Sequence, residues 1–167
     1  MSKEQTLNWW KERFSGMETD SCPAVDFPDN EQGGAFHSLS TVCGEKDPDL
    51  LISAFAYVLA KYTAQNESLF WVQEEGVRYP FYTVFDENAP AGDYLRDTAE
   101  RRREAREHLD AEAGELKDAL GIQQDLLLCF DRDNTPDRAG DWKLCLLKEE
   151  GQLTLFYRKD WYHAENM

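Results

Sequence analysis

The sequence lacks the features that mark several large classes of protein. No apolar stretch approaches the roughly 18 residues that a membrane-spanning helix needs. The first residues, MSKEQTLNWWKERF, lack the apolar core of a secretion signal. Basic residues are few, 18 against 33 acidic ones, which gives a formal net charge of −15. Nucleic acids and anionic membranes repel such a surface, so we expect a cytoplasmic protein that binds neither.

The motifs of common catalytic and metal sites are also missing. The four cysteines form no C-x-x-C pair, so the sequence predicts no zinc site and favours reduced structural thiols. The three histidines, His37, His108 and His163, lie far apart along the chain. No nucleophile elbow, phosphate-binding glycine loop or dinucleotide-binding glycine loop occurs. We therefore expect no catalytic residue, no cofactor and no metal ligand.

What is present indicates one folded domain. The 167 residues suffice to bury a core, and an aromatic content of 13% is too high for a disordered acidic chain. Apolar periodicity predicts helices at Thr6–Phe14, from Asp47 onwards, at Asp93–Leu109 and at Glu112–Leu120. Strands are predicted at Phe36–Cys43, Ser68–Gln73, Val77–Phe85, Leu126–Phe130, Trp142–Leu147 and Leu153–Tyr157. Helices and strands that interleave without regular spacing favour an α/β layered domain with a mixed β-sheet.

Two charged patterns invite a functional interpretation. The helix at Asp93–Leu109 carries Arg101, Arg102 and Arg103 flanked by glutamates, which is typical of a solvated, salt-bridged helix side, although a basic binding site is the alternative. The segment LLLCFDRDNT places Asp131 and Asp133 after a buried strand, as in haloacid-dehalogenase-like phosphatases. The position argues against that activity, because only 32 residues follow Thr135 and they lack the family's later motifs.

The order of the segments resembles the C-terminal half of a condensation domain of nonribosomal peptide synthetases. The first helix matches the family through Leu7, Trp10, Phe14 and, with a shift of one position, Gly16. The stretch LLISAFAYVLAKYTAQ matches a family helix best, and DYLRDTAERRREAREHLD and QDLLLCFDRD match a later helix and strand. A proline-containing loop fits through Cys22, Pro23, Asp26 and Pro28.

This resemblance implies one lobe of a chloramphenicol-acetyltransferase-like fold, with residues 1–167 forming a single condensation-like half-domain. The family's HHxxxDG motif belongs to the other lobe, and this sequence has no adjacent histidines. The resemblance therefore implies a truncated domain without catalytic activity of its own. A position at the N-terminus of an initiating module is expected. The implied partners are the adjoining adenylation and carrier domains of the same synthetase, or an upstream synthetase protein.

A lobe without its partner lobe has apolar surface to cover, and aromatic residues are enriched in interface cores. The sequence offers five candidate interface residues: Trp9, Trp71, Tyr79, Phe81 and Trp161. Three alternatives stay open at this point. They are a stand-alone acidic interaction or inhibitor protein, a metal-dependent phosphatase that uses Asp131 and Asp133, and half of an acyltransferase completed by another chain.

Overall fold

A computed structural model describes residues 1–17, 21–28, 36–131 and 142–167. These residues form four α-helices: α1 (Lys3–Arg13), α2 (Pro48–Thr63), α3 (Ala91–Arg106) and α4 (Ala113–Leu120). They also form six strands: β1 (Phe36–Val42), β2 (Glu67–Glu74), β3 (Val77–Val84), β4 (Leu126–Cys129), β5 (Leu144–Glu149) and β6 (Gln152–Arg158). Every predicted helix and strand is present, with ends that move by at most three residues.

The six strands form one mixed sheet in the order β1-β6-β5-β4-β2-β3. The central strand β4 runs parallel to both β2 and β5. The pairs β1–β6, β5–β6 and β2–β3 are antiparallel. The prediction of a layered α/β domain with a mixed sheet is confirmed, and the sheet order places β1 and β3 at its two edges.

Local sequence signals explain where the first two helices begin. Ser2 caps α1 through a capping box, in which the Ser2 hydroxyl accepts from the Gln5 backbone and the Gln5 side chain accepts from the Ser2 backbone. Asp47 caps α2, and Pro48 occupies its first turn, where a missing N–H costs nothing. Both starts follow from residue types that are strong N-terminal signals.

The helices pack mainly against one half of the sheet, the half that contains β2 and β3. Helices α2 and α3 pack against β2 and β3, and α4 packs against β3 and α1. Most of the largest fully buried side chains come from α1, α2, β2, β3, α4 and β4 or directly follow α4: Trp10, Ile52, Phe70, Trp71, Tyr79, Phe81, Leu116, Ile122, Leu127 and Leu128. The other two are Trp142, just before β5, and Tyr162, after β6. Strands β1, β5 and β6 receive no comparable helix cover from the described residues.

Helix α2 is buried along one face only. Its inward face includes Ile52, Ala56 and Leu59, which are buried. Val58 and Tyr62 are instead exposed, and the Tyr62 hydroxyl donates to the Asn166 carbonyl at 2.9 Å. No helix among the described residues is long and apolar enough to cross a membrane.

Candidate functional site

One row of side chains crosses all six strands and shows how unevenly the sheet is covered. The strand register aligns Leu39 with Leu155, Leu155 with Leu146, and Leu146 with Leu128, and then continues through Val72 to Tyr79. Residues paired in this way point to the same face of a sheet. Leu128, Val72 and Tyr79 are completely buried, whereas Leu39 is 41% exposed. Burial therefore falls steadily from the helix-covered strands to the β1 edge.

The end of this row that no described helix covers forms an apolar surface. Leu146 and Leu155 are only partly buried, and Leu153, two residues before Leu155, points to the same face of β6. We name Leu39, Leu146, Leu153 and Leu155 the open sheet surface. Leucine at four positions of a sheet face that no described helix covers is the pattern of a contact site for another protein surface.

A buried ion-pair network lies on the covered half of the same sheet. Glu74, at the end of β2, accepts from the guanidinium of Arg102 in α3 at 2.5 and 3.0 Å and from the Tyr79 hydroxyl at 2.5 Å. Arg106 approaches the same carboxylate at 3.0 Å, and Arg102 also donates to Asp49 at 3.0 Å. These contacts tie α3, α2 and β2 together around a carboxylate that is almost completely buried.

The protonation of Glu74 follows from these partners. Burial raises the pKa of a carboxyl group, but the hydrogen bonds from Arg102 and Tyr79 and the nearby positive charges outweigh burial and lower the pKa of Glu74 below its ordinary value. Glu74 is therefore ionised and paired. Each charged group in the cluster has an oppositely charged partner within the chain, so the geometry is that of a structural network.

The arginine run is correspondingly divided between two roles. Arg101 pairs with Asp97 at 2.7 Å and Arg103 with Glu100 at 3.3 Å along the surface of α3, as a solvated helix side predicts. Arg102 instead turns inward to Glu74. The alternative of a basic binding site finds little support, because carboxylates of the same chain neutralise these arginines.

Three of the five candidate interface residues are buried. Trp71, Tyr79 and Phe81 are each at most 1% exposed. The Trp71 indole N–H donates to the Gln123 carbonyl at 2.9 Å, and Phe81 packs against Phe70. Tyr79 and Phe81 lie on the sheet face beneath α2 and α3, and Trp71 points to the opposite face, towards the segment after α4. All three side chains fill the core, so they do not lie at the surface of this chain as the interface prediction requires.

Trp9 and Trp161 are partly exposed and stay candidate contact residues. Trp9 stacks on the His108 ring with centroids 3.8 Å apart. The Arg13 guanidinium carbon lies 5.8 Å from the centroid of the Trp9 ring. The Trp161 carbonyl accepts from the backbone N–H groups of Asp26 and Phe27. Trp9 lies on α1 and Trp161 follows β6, so the structure places the two indoles on separate elements.

Asp131, the nucleophile in the phosphatase alternative, accepts hydrogen bonds from the backbone of its own chain. Both carboxylate oxygens of Asp131 accept backbone N–H groups in the β2–β3 turn, from Glu75 at 2.8 Å and from Gly76 at 2.9 Å. Glu75 and Gly76 both have positive φ, as a tight hairpin turn requires. Asp131 therefore caps this turn. Asp133 and Thr135 lie outside the described residues.

The described histidines do not come together. His37 lies on β1 near Tyr157, His108 stacks on Trp9, and His163 packs against Phe27. Across residues 1–17, 21–28, 36–131 and 142–167, no group of three or more His, Cys, Asp or Glu side chains could hold a metal ion. All four cysteines are free, and burial raises the pKa of the Cys129 thiol.

Comparison with solved structures identifies the architecture. No protein-family model and no curated protein matches the sequence. The fold is similar to an X-domain from teicoplanin biosynthesis in complex with OxyB, with a TM-score of 0.75 and 14% identity over 98% of this chain and 49% of that one. It is similar to the starter condensation domain of rhizomide synthetase, with a TM-score of 0.70 and 11% identity over 98% of this chain and 47% of that one.

A third similar structure is a four-domain nonribosomal peptide synthetase bound to AMP and glycine. Its TM-score is 0.78 and its identity 14%, over 98% of this chain and 18% of that one. The resemblance to condensation domains of nonribosomal peptide synthetases is thus confirmed at the level of fold. The chain spans about half the length of the X-domain and condensation-domain structures that it matches.

Proposed function

We propose that this chain is a non-catalytic, condensation-like half-domain of a nonribosomal peptide synthetase, which acts as a scaffold and docking surface for adjoining domains. Its partners are the adenylation and carrier domains of the same synthetase or an upstream synthetase protein. The N-terminus of an initiating module is its proposed position. The observation that carries the proposal is the open sheet surface on a chain that matches only half of a condensation domain.

The chemistry of the open sheet surface supports docking over catalysis. Its four leucines offer neither a nucleophile nor a proton donor. Lys148, which the register places beside Leu153 on the same face, is buried and donates to the Cys43 and Glu149 carbonyls. Burying apolar area is the main favourable term in protein association, at about 25 cal/mol per Å². Among the solved structures of this fold, the teicoplanin X-domain is in complex with OxyB. A domain of this fold therefore does bind another protein.

A binding measurement with matched variants tests the proposal. The purified chain is titrated with the adenylation domain and then with the carrier domain of its synthetase, and affinity is measured by calorimetry. Leu39→Glu adds a charge to the open sheet surface and should weaken binding at least tenfold. Leu95→Glu, on α3, is the control, because Leu95 is 39% exposed against 41% for Leu39. Its affinity should equal that of the natural chain.

Two outcomes would contradict the proposal. One is equal loss of affinity in Leu39→Glu and Leu95→Glu, which would place the contact elsewhere. The other is peptide-bond formation by the chain alone, given an aminoacyl carrier protein and a donor carrier protein, since the proposal assigns it no catalysis. Trp9→Ala extends the test to a remaining aromatic candidate, and Trp71→Ala serves only as a folding control because Trp71 is buried.

A further inference from the structure

Among the described residues, the edge strand β1 has none of the devices that normally protect a sheet edge. Natural edge strands carry lysine, proline, inward charges or a bulge, or they lie under a helix or loop. The sequence of β1, FHSLSTV, contains no proline and no aspartate, glutamate, lysine or arginine. Its register with β6 runs without a bulge from Phe36–Arg158 to Val42–Gln152. In the part of the chain that the structure describes, β6 is the only strand paired with β1.

The backbone register shows which groups of β1 point away from the sheet. The N–H of Cys43, directly after β1, donates to the Gly151 carbonyl at 2.9 Å, so Cys43 and Gly151 form a hydrogen-bonded pair. In an antiparallel ladder, residues alternate between bonding their partner strand and pointing away from it. The backbone groups of Leu39 and Thr41 therefore face β6. Those of Ser38 and Ser40 face outward, where a further strand would bind.

The sequence of β1 is complementary to itself in the antiparallel direction. A twofold axis through Leu39 pairs Phe36 with Val42, His37 with Thr41, Ser38 with Ser40, and Leu39 with its own copy. Apolar residues then meet apolar residues at the centre and at both ends. This register also pairs all seven residues and brings the outward-facing backbone groups of both strands together. No charged side chain meets a like charge, because β1 has none.

We propose that two copies of this chain associate through antiparallel β1–β1 pairing about Leu39, which would join two six-stranded sheets into one. The two Leu39 side chains then cover each other, and a row of leucines runs from Leu146 of one copy to Leu146 of the other. A closed, isologous dimer results, since a twofold contact uses the same patch on both copies. This inference does not depend on the proposed docking function.

The expected dimer is weak. Pairing one seven-residue strand buries less surface than the roughly 1,200 Å² of a stable complex, so dissociation is expected in the micromolar range. Two chains of charge −15 also repel each other. Added salt screens that repulsion, so dimerisation should strengthen as ionic strength rises. A contact held by ion pairs would respond in the opposite direction.

The first experiment measures association of the full chain by sedimentation equilibrium from micromolar to near-millimolar concentration. Ser38→Pro removes an outward-facing N–H and leaves the β1–β6 hydrogen bonds in place, because proline is tolerated on an edge strand. Its dimer dissociation constant should rise at least tenfold. Ser38→Ala keeps the N–H and should dimerise as the natural chain does. Circular dichroism confirms that both variants fold.

The second experiment tests the register. In a non-hydrogen-bonded antiparallel pair the Cα atoms lie about 4.5 Å apart, within the range of a disulfide. Leu39→Cys should therefore form a 39–39 disulfide dimer on mild oxidation. Val42→Cys should not form a 42–42 disulfide, although Val42 is 90% exposed and more accessible, because its opposite residue is Phe36. Mass spectrometry distinguishes these bonds from any that involve the natural cysteines.

Three results would overturn the proposal. They are a monomer at every concentration, a dimer whose affinity Ser38→Pro does not change, and disulfide formation by Val42→Cys as fast as by Leu39→Cys. A monomer whose β1 amides become protected from hydrogen exchange only when the adenylation domain is added would assign this edge to that partner and also overturn self-association.

Discussion

The two halves of the sheet are built from similar apolar strands but differ in how far the described helices cover them. On the β2–β3 side, α2 and α3 cover the sheet, and Arg102 and Glu74 lock the helices to the strands. On the β1–β6 side, the same row of side chains reaches the surface at Leu39. Strand sequence alone therefore does not decide burial. The covered half holds the fold together, and the open half is the part available to a partner.

The edges of the sheet show the same contrast. Strand β3 carries Pro80 opposite Trp71, and a proline on an edge strand blocks pairing with another strand. Side chains of α1, including Trp10 and Phe14, also lie beside Phe81 and Tyr82 at this edge. Strand β1 has no proline, and no helix that the structure describes covers it. One edge is closed by its own sequence, and the other is left open to pairing.

The largest expected difference between the halves comes from truncating leucines of one row. Leu128→Ala should cost about 2–5 kcal/mol of unfolding free energy, because a fully buried leucine leaves a cavity. Leu39→Ala should change it by less than about 0.5 kcal/mol, as surface substitutions do. Leu146→Ala should fall between the two. Urea unfolding of dilute monomer measures all three, and equal losses would mean that the open half is covered in solution.

The second largest expected effect is the difference in unfolding free energy between substitutions of Arg102 and Arg103, two neighbouring arginines of α3. Arg102→Met should cost about 3 kcal/mol, because it leaves the buried Glu74 carboxylate with fewer partners. Arg103→Met should cost at most about 0.5 kcal/mol, since Arg103 is 67% exposed and its ion pair with Glu100 is solvated. The measurement is again urea unfolding at pH 7. A result in which both substitutions cost the same would show that the network does not lock the covered half.

The cost of Arg102→Met should also depend on pH. The pKa of Glu74 is lowered in the folded chain, so its ionic contacts stabilise the fold above the ordinary carboxyl pKa. That contribution is lost as the pH falls through the lowered folded-state pKa. The difference in unfolding free energy between the natural chain and Arg102→Met should therefore shrink from pH 7 towards pH 3. Arg103→Met provides the control, with a small difference throughout, and a constant Arg102 difference would contradict the assignment of Glu74.

The sequence predicts the elements better than their arrangement. Alternation, caps and turn residues locate every helix and strand, because these signals are local. Trp71, Tyr79 and Phe81 were expected at an interface, yet they are core, since aromatic content does not reveal which face a helix covers. The open sheet surface could not be found in this way. It exists because β1 pairs with β6, which is more than a hundred residues away, and no local pattern reports that pairing.

The smallest expected effect lies where the two halves meet. Asp131 follows β4, the strand between them, and its carboxylate accepts the Glu75 and Gly76 amides at 2.8 and 2.9 Å. Asp131→Ala should cost about 1 kcal/mol, because the turn is exposed and water replaces part of each bond. Asp131→Asn keeps one acceptor and should cost less. Hydrogen exchange should speed up at Glu75 and Gly76 but not at Gly151, in the β5–β6 turn on the open half. If the Gly151 amide responded equally, the two halves would be coupled through β4, and the division between a locked half and an open half would fail.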